Sequence, residues 1–170
     1  MFNCGRKNNY YEISDQLLNF WYTFIFKNSE KIKINGSIIF KQEESINVFL
    51  NHGFEHIASL YIDQLNKDGK LEDVFERPKV FKVEKTKLGR SIEIDGITRT
   101  NDNLLIIDCK DTNKKYSKTM FEHLQESASI FSDKLNRIYY IFSKSGFDDE
   151  MNNLDMTNVH MINYDDLFSF

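Results

Sequence analysis

Two short segments near the middle of the sequence contain residue types that could carry out hydrolytic chemistry. Glu93 and Asp95 lie two residues apart, and so do Asp108 and Lys110. Side chains two apart on a β-strand point to the same face of a sheet. If the two segments pair as a hairpin, these faces can coincide, and the pairing would then bring carboxylates and an ammonium group together.

The chemistry that needs this grouping is metal-assisted hydrolysis of a phosphodiester bond. Carboxylate oxygens are the ligands that Mg²⁺ prefers in proteins. A bound metal lowers the pKa of its water and stabilises charge on the scissile phosphate. A lysine two residues after a metal carboxylate can orient the attacking water or offset phosphoryl charge. We therefore expect Mg²⁺ or Mn²⁺ as the cofactor.

The strands that must position these residues follow from hydrophobic periodicity. Residues 92–97 alternate strictly, which predicts a half-buried strand, and residues 104–109 form a continuous apolar run of strand length. The turn signal at residues 101–103 predicts that they form a hairpin, and residues 80–83 predict an earlier strand. A slip of one residue in the hairpin register would turn the carboxylates to opposite faces.

Helical periodicity predicts further elements on both sides of these strands. One helix begins at Ser14 or Asp15, since both are good N-cap residues. Longer apolar stripes predict helices at residues 43–65 and 118–135. The remaining predicted elements are strands at residues 10–13, 137–142 and 158–162 and a short C-terminal helix.

This order of elements predicts an α/β fold in which helices pack on a mixed sheet. A chain of 170 residues fits one domain of ordinary size with a small extension. We expect residues 1–40 to form an aromatic helical extension and residues 41–170 to form the main domain.

The residues of the hairpin resemble a known motif. Asp95, followed after a turn by Asp108-Cys109-Lys110, resembles the D…(D/E)xK motif of the PD-(D/E)xK nuclease superfamily. Glu55 is similar to the helix glutamate that often completes the metal site in that superfamily. Most of the chain resembles, more closely, the C-terminal domain of archaeal-type AAA/STAND ATPases, an uncharacterised domain related to these nucleases. The supporting segments are Tyr11-Glu12-Ile13-Ser14-Asp15, Asn19-Phe20-Trp21-Tyr22, Phe54-Glu55, Glu93-Ile94-Asp95-Gly96, Asp108-Cys109-Lys110 and Phe142-Ser143-Lys144-Ser145-Gly146-Phe147.

The resemblance implies a restriction-endonuclease-like αβββαβ core with a metal-dependent centre. Asp95 and Asp108 would bind the metal, Glu55 would assist, Glu93 would be a spare ligand, and Lys110 would position water. Asp108 stands where a glutamate is usual, a shorter carboxylate that the superfamily tolerates. The sequence has no GxxxxGK[ST] pattern, so an ATPase would be a neighbouring domain or a partner chain.

Basic and polar residues outside the motif are candidates for contacting nucleic acid. Lys85, Lys87 and Arg90 lie in the charged segment before the hairpin and could follow a phosphate backbone, or they could form an ordinary charged turn. Gln125 on the third helix could line the cleft or simply face solvent. We expect nucleic acid, DNA in the first instance, as the substrate.

Composition is that of an ordinary globular protein and not of a basic DNA-coating protein. Charged residues make up 28% of the chain, and the net charge is −4. The two cysteines, Cys4 and Cys109, lie far apart, which argues against a disulfide framework and fits a reducing compartment. No apolar run is long enough to cross a bilayer. We expect a cytoplasmic location without membrane contact.

The sequence is also compatible with a second function. The aromatic N-terminal helix, which contains Trp21 and Tyr22, could be covered by a partner. The domain would then be a nuclease fold without catalysis that regulates or docks onto an ATPase.

Overall fold

The computed structural model describes residues 13, 15–84, 89–154 and 157–168. The chain divides into two compact units, residues 1–49 and 50–170. The predicted boundary between residues 40 and 41 stays a prediction. No helix in the described residues is both long enough and apolar enough to cross a membrane.

A five-stranded mixed sheet forms the centre of the second unit, in the order β1-β2-β3-β4-β5. The first three strands are antiparallel neighbours, whereas β4 pairs parallel to both β3 and β5. The strands are β1 (Lys79–Val83), β2 (Ile92–Arg99), β3 (Asn103–Lys110), β4 (Asn136–Ser143) and β5 (Val159–Asn163). This sheet with flanking helices confirms the predicted α/β class.

The described residues contain five α-helices. They are α1 (Gln16–Phe20), α2 (Ser29–Ile34), α3 (Glu43–Lys67), α4 (Lys118–Ala128) and α5 (Asp149–Asn152). Short helical turns of other types span Trp21–Ile25, Phe26–Asn28, Gly36–Gln42 and Tyr164–Phe168.

Each face of the sheet is covered by its own apolar core. On one face Phe54, Ala58 and Ile62 of α3 pack with Leu105 and Ile107 of β3. On the other face α4 packs over the alternate residues of the same strand. β3 is therefore buried on both sides, which explains its continuous apolar sequence.

The first unit consists of short helical segments rich in aromatic residues. Asp15 caps α1, since its carboxylate accepts a hydrogen bond from the backbone N–H of Leu18 at 2.7 Å. The rings of Phe20 and Phe24 each lie 5.6 Å from the ring of Phe49. These contacts give the small unit an aromatic centre of its own.

Two predicted helices differ from the structure, and one predicted strand lies almost wholly outside the described residues. The predicted helix at 118–135 ends at Ala128, where Ser129 caps the last turn with bonds to the Glu126 carbonyl. The N-terminal helix changes from α-helical to π-helical geometry at Trp21. Of the predicted strand at 10–13, only Ile13 is described, and it lies outside the sheet.

Candidate active site

A β-bulge in β2 determines where Asp95 points. From Ile94 to Ile97 the strand advances three residues while its partner β1 advances only two. Both isoleucines consequently pack into the core beneath α4, although residues three apart on a regular strand face opposite sides. The two residues between them, Asp95 and Gly96, form the bulge, a feature that re-aims side chains near functional sites.

Gly96 is required by the close approach of the neighbouring strand. A Cβ atom at this position would lie 2.9 Å from Cδ1 and 3.1 Å from Cβ of Ile107, its cross-strand partner. Both distances are shorter than ordinary carbon contacts, and the Ile107 Cβ cannot move without its backbone. The absent side chain therefore lets β2 and β3 approach beside Asp95.

Asp95 lies where backbone pairing between the two strands ends. Its Oδ2 atom accepts a hydrogen bond from the backbone N–H of Cys109 at 2.7 Å, beyond the last backbone pair, Gly96 with Ile107. Burial, together with the negative charge of Asp108, raises the pKa of Asp95 to about 7. The two carboxylates are thus close enough that the second charge opposes ionisation of the first.

Asp108 is nearly buried, with 8% of its surface exposed, and both of its oxygens accept hydrogen bonds. Lys110 donates from Nζ to Oδ1 at 2.9 Å, and the Tyr116 hydroxyl donates to Oδ2 at 2.6 Å. Burial acts to lower the pKa of Lys110, but the adjacent Asp108 carboxylate outweighs it and raises that pKa. Lys110 consequently remains an ammonium group at neutral pH.

A pocket of about 210 Å³ opens beside this pair of strands. It is lined by Asn51, Phe54, Glu55, Asp95, Cys109, Lys110, Asp111 and Thr112. Glu55 reaches the pocket from α3, and its Oε2 atom lies 3.2 Å from Nδ1 of His52. The structure therefore gathers Glu55, Asp95 and Lys110 around one opening.

The other predicted site residues lie elsewhere or outside the described residues. Glu93 is exposed and forms an ion pair with Lys82 of β1 at 3.0 Å. Gln125 lies half-buried on α4, and it does not line this pocket. Lys85 and Lys87 fall outside the described residues.

Arg90, the remaining predicted nucleic-acid contact, is held by α4. Its guanidinium donates a hydrogen bond to the carboxylate of Glu126. A phosphate contact by Arg90 would therefore compete with this ion pair.

The donor set suits a hard divalent cation. In the described ranges, no group of three or more His, Cys, Asp or Glu side chains is arranged to hold a metal ion. Mg²⁺ in enzymes is usually bound through one or two carboxylates, with waters and substrate phosphates completing its shell. Asp95 and Asp108 match that pattern, and a cation would offset both the burial and the Asp108 charge that raise the pKa of Asp95.

Sequence reasoning missed Tyr116 and Asp111. Tyr116 follows β3 in an irregular segment, where periodicity gives no signal about the direction of a side chain. Asp111 immediately follows Lys110 and lines the pocket, where its carboxylate pairs with Lys144 at 2.7 Å. The only sequence signal for Asp111 was its position at the end of a buried strand.

Comparison with known proteins gives a family and one distant structural likeness. The family model DUF234, described as "Archaea bacterial proteins of unknown function", matches residues 21–122. The crystal structure of a protein of unknown function, AF1548, has a TM-score of 0.45 and 12% sequence identity to this chain. The match covers 65% of this chain and 58% of that one, so less than two thirds of AF1548 is spanned. Comparison with curated proteins gives no match.

Proposed function

The chain belongs to the DUF234 family, whose model matches more than half of its length, and we propose that it is a metal-dependent nuclease of the PD-(D/E)xK type. The observation that carries this proposal is the pairing of β2 with β3. It brings Asp95 of β2 close enough to Asp108 of β3 for their charges to interact. The same Asp108 accepts a hydrogen bond from Lys110, which lies two residues further along β3. The order of motifs along the chain supports the same superfamily.

In this proposal Asp95 and Asp108 hold one Mg²⁺ or Mn²⁺, with Glu55 assisting from α3. The metal would lower the pKa of a bound water and stabilise charge on the scissile phosphate. The hydrogen bond from the Cys109 backbone fixes Asp95, so its carboxylate needs little reorganisation on binding.

Lys110 is the residue that we assign to positioning water and to offsetting phosphoryl charge. Its side chain is 34% exposed and lines the pocket, whereas the Asp108 carboxylate that it contacts is almost buried. An ammonium group at the boundary between the carboxylates and solvent can transfer its hydrogen bond to a substrate phosphate. The substrate in this proposal is nucleic acid, with DNA tested first, and an ATPase domain or chain is the expected partner.

Removing the Lys110 ammonium tests the assignment. With Mg²⁺ or Mn²⁺ and mixed DNA and RNA substrates, we expect Lys110→Ala to lose cleavage by a factor of about 100 or more while thermal unfolding stays cooperative. Lys82→Ala is the matched control, since Lys82 also pairs with a carboxylate but lies on β1 at the surface. Cleavage by Lys110→Ala at the wild-type rate would overturn the role of Lys110.

A second candidate function rests on the apolar surface of the first unit. Its exposed large side chains are Leu17, Leu18, Trp21, Tyr22 and Phe26. Clustered exposed apolar groups are typical of surfaces that bind another protein. In this alternative the domain is catalytically degenerate and regulates or docks onto an ATPase through α1 and the following turn.

The alternative predicts association without metal-dependent cleavage. Replacing Leu17 and Trp21 with glutamate should then abolish association seen by light scattering or by binding to the ATPase. A wild-type chain that stays monomeric and binds no ATPase would contradict it.

A further inference from the structure

Tyr116 places a buried hydroxyl group against the candidate metal carboxylate. The residue is fully buried in the core beneath α4, and the centre of its ring lies 6.0 Å from that of Phe147. Its hydroxyl donates to Oδ2 of Asp108 at 2.6 Å, the shorter of the two hydrogen bonds that Asp108 accepts. The ring is thus fixed by packing, and its hydroxyl contacts the Asp108 carboxylate of the candidate site.

The backbone of Tyr116 is held by the turn that follows β4. The N–H of Tyr116 donates to the carbonyl of Gly146 at 2.9 Å, and the carbonyl of Tyr116 accepts from the N–H of Asp148 at 3.0 Å. These bonds form a parallel bridge between Tyr116 and Phe147. Gly146 has φ +76°, a left-handed conformation that favours glycine. The position of the hydroxyl is therefore set both by the packing of the ring in the core and by the turn that follows β4.

The same turn also holds the start of the segment between β3 and α4. The Ser145 hydroxyl donates to the carbonyl of Thr112 at 2.6 Å, and Lys144 pairs with Asp111 at 2.7 Å. In addition, the N–H of Lys144 donates to the carbonyl of Lys110 at 3.1 Å. The motif Phe142–Phe147 has no assigned role in the proposed nuclease chemistry. Its residues hold the segment that follows β3 in place through these hydrogen bonds and this ion pair.

The two donors on Asp108 differ in rigidity. Lys110 has a flexible side chain that is 34% exposed, whereas the Tyr116 ring is fully buried and its backbone is bonded on both sides. A tyrosine hydroxyl is protonated at neutral pH and can therefore donate to the Asp108 carboxylate, as the 2.6 Å hydrogen bond shows. A carboxylate oxygen has two lone pairs, and it can accept this bond while the carboxylate binds a metal.

We propose that Tyr116 is a positioning residue that holds the Asp108 carboxylate in place for the metal ion, an inference that rests on the proposed function. Tyr116 fixes Oδ2 through its hydroxyl, whereas the more exposed Lys110 could exchange its hydrogen bond to Oδ1 for one to a substrate phosphate. Partners that orient metal-binding carboxylates in this way typically contribute about 10- to 100-fold to metal affinity.

The test measures Mn²⁺ binding by the loss of the free-ion signal in electron paramagnetic resonance. Tyr116→Phe removes one oxygen atom and keeps the ring. Tyr139→Phe is the matched control, because Tyr139 lies in the same core and its hydroxyl has no bond to Asp108. We expect Tyr116→Phe to weaken Mn²⁺ binding about tenfold or more, and Tyr139→Phe to bind like wild type.

Two results would overturn the proposal, and they are distinguishable. Tyr116→Phe binding Mn²⁺ as tightly as wild type would remove the positioning role and leave the proposed nuclease intact. Wild type failing to bind Mn²⁺, with or without a nucleic-acid fragment, would remove the proposed function and the positioning role with it.

A measurement on the unmutated chain covers the case in which Tyr116→Phe does not fold. The hydroxyl proton of Tyr116 should give a slowly exchanging, downfield proton resonance that persists when Mg²⁺ is added. Its absence without metal, or its loss on adding Mg²⁺, would overturn the proposal.

Discussion

At the scale of single residues, Asp95 is a carboxyl group that the fold makes harder to ionise. Its pKa is raised to about 7 from an ordinary 3.8 because it is buried and lies near Asp108. The folded chain therefore binds a proton more tightly than the unfolded chain. The contribution of Asp95 to stability is fully present below pH 4 and is lost as the pH rises to about 7.

Asp95→Asn should remove this pH dependence while keeping an acceptor for the Cys109 N–H. Without metal, we expect the variant to be more stable than wild type at pH 8 and to lose that advantage as the pH falls towards 4. The difference should change by no more than about 1.4 kcal/mol per pH unit. Urea unfolding of both proteins from pH 4 to pH 8 measures this difference in the free energy of unfolding. A difference that does not change with pH would contradict the raised pKa of Asp95.

The types and spacing of the site residues could be predicted from the sequence, but the orientation of their side chains could not. Asp108 and Lys110 could be paired on one strand by the two-residue rule, and the structure shows their hydrogen bond. The same rule grouped Glu93 with Asp95, yet Glu93 pairs with Lys82 at the surface. No periodicity indicates Tyr116, because its direction depends on a turn thirty residues later in the chain.

At the scale of elements, the bulge in β2 couples the fold to the site. Gly96→Ala would put a methyl group 3.1 Å from the Cβ of Ile107, so the strands must separate. We expect a loss of about 1–3 kcal/mol in the free energy of unfolding, the usual cost of overpacking. Metal binding should weaken in the same variant, because Asp95 lies in the bulge.

Gly53→Ala is the matched control for this substitution. Gly53 lies inside α3, and a Cβ there would meet no atom within 4 Å. Alanine is the better helix former by about 1 kcal/mol, so this variant should be more stable than wild type. Equal effects of the two substitutions in thermal unfolding would contradict the close approach at Gly96.

The elements could be predicted because their apolar patterns are long. β3 reads as a continuous apolar run since helices cover both of its faces, and α3 carries a stripe over 25 residues. The four residues of α5 are too few to show a period. The bulge was hidden because residues 92–97 were interpreted as one regular alternation, although Ile94 and Ile97 are three residues apart.

At the scale of the whole molecule, the candidate site belongs to the second unit alone. Both apolar cores and every residue that lines the pocket lie within residues 50–170. We therefore expect a chain of residues 41–170, the predicted main domain, to unfold cooperatively and to bind Mn²⁺ within threefold of wild type. Loss of folding in this shorter chain would contradict the predicted boundary.

Calorimetric titration of Mn²⁺ at pH 8 is the measurement that decides whether Asp95 and Asp108 form a metal site. Glu93→Gln serves as the control on the same strand, because Glu93 pairs with Lys82 away from the pocket. We expect wild type and Glu93→Gln to bind Mn²⁺, and Asp95→Asn to bind it at least about tenfold more weakly. Wild-type affinity in Asp95→Asn, or no binding by wild type, would contradict this metal site.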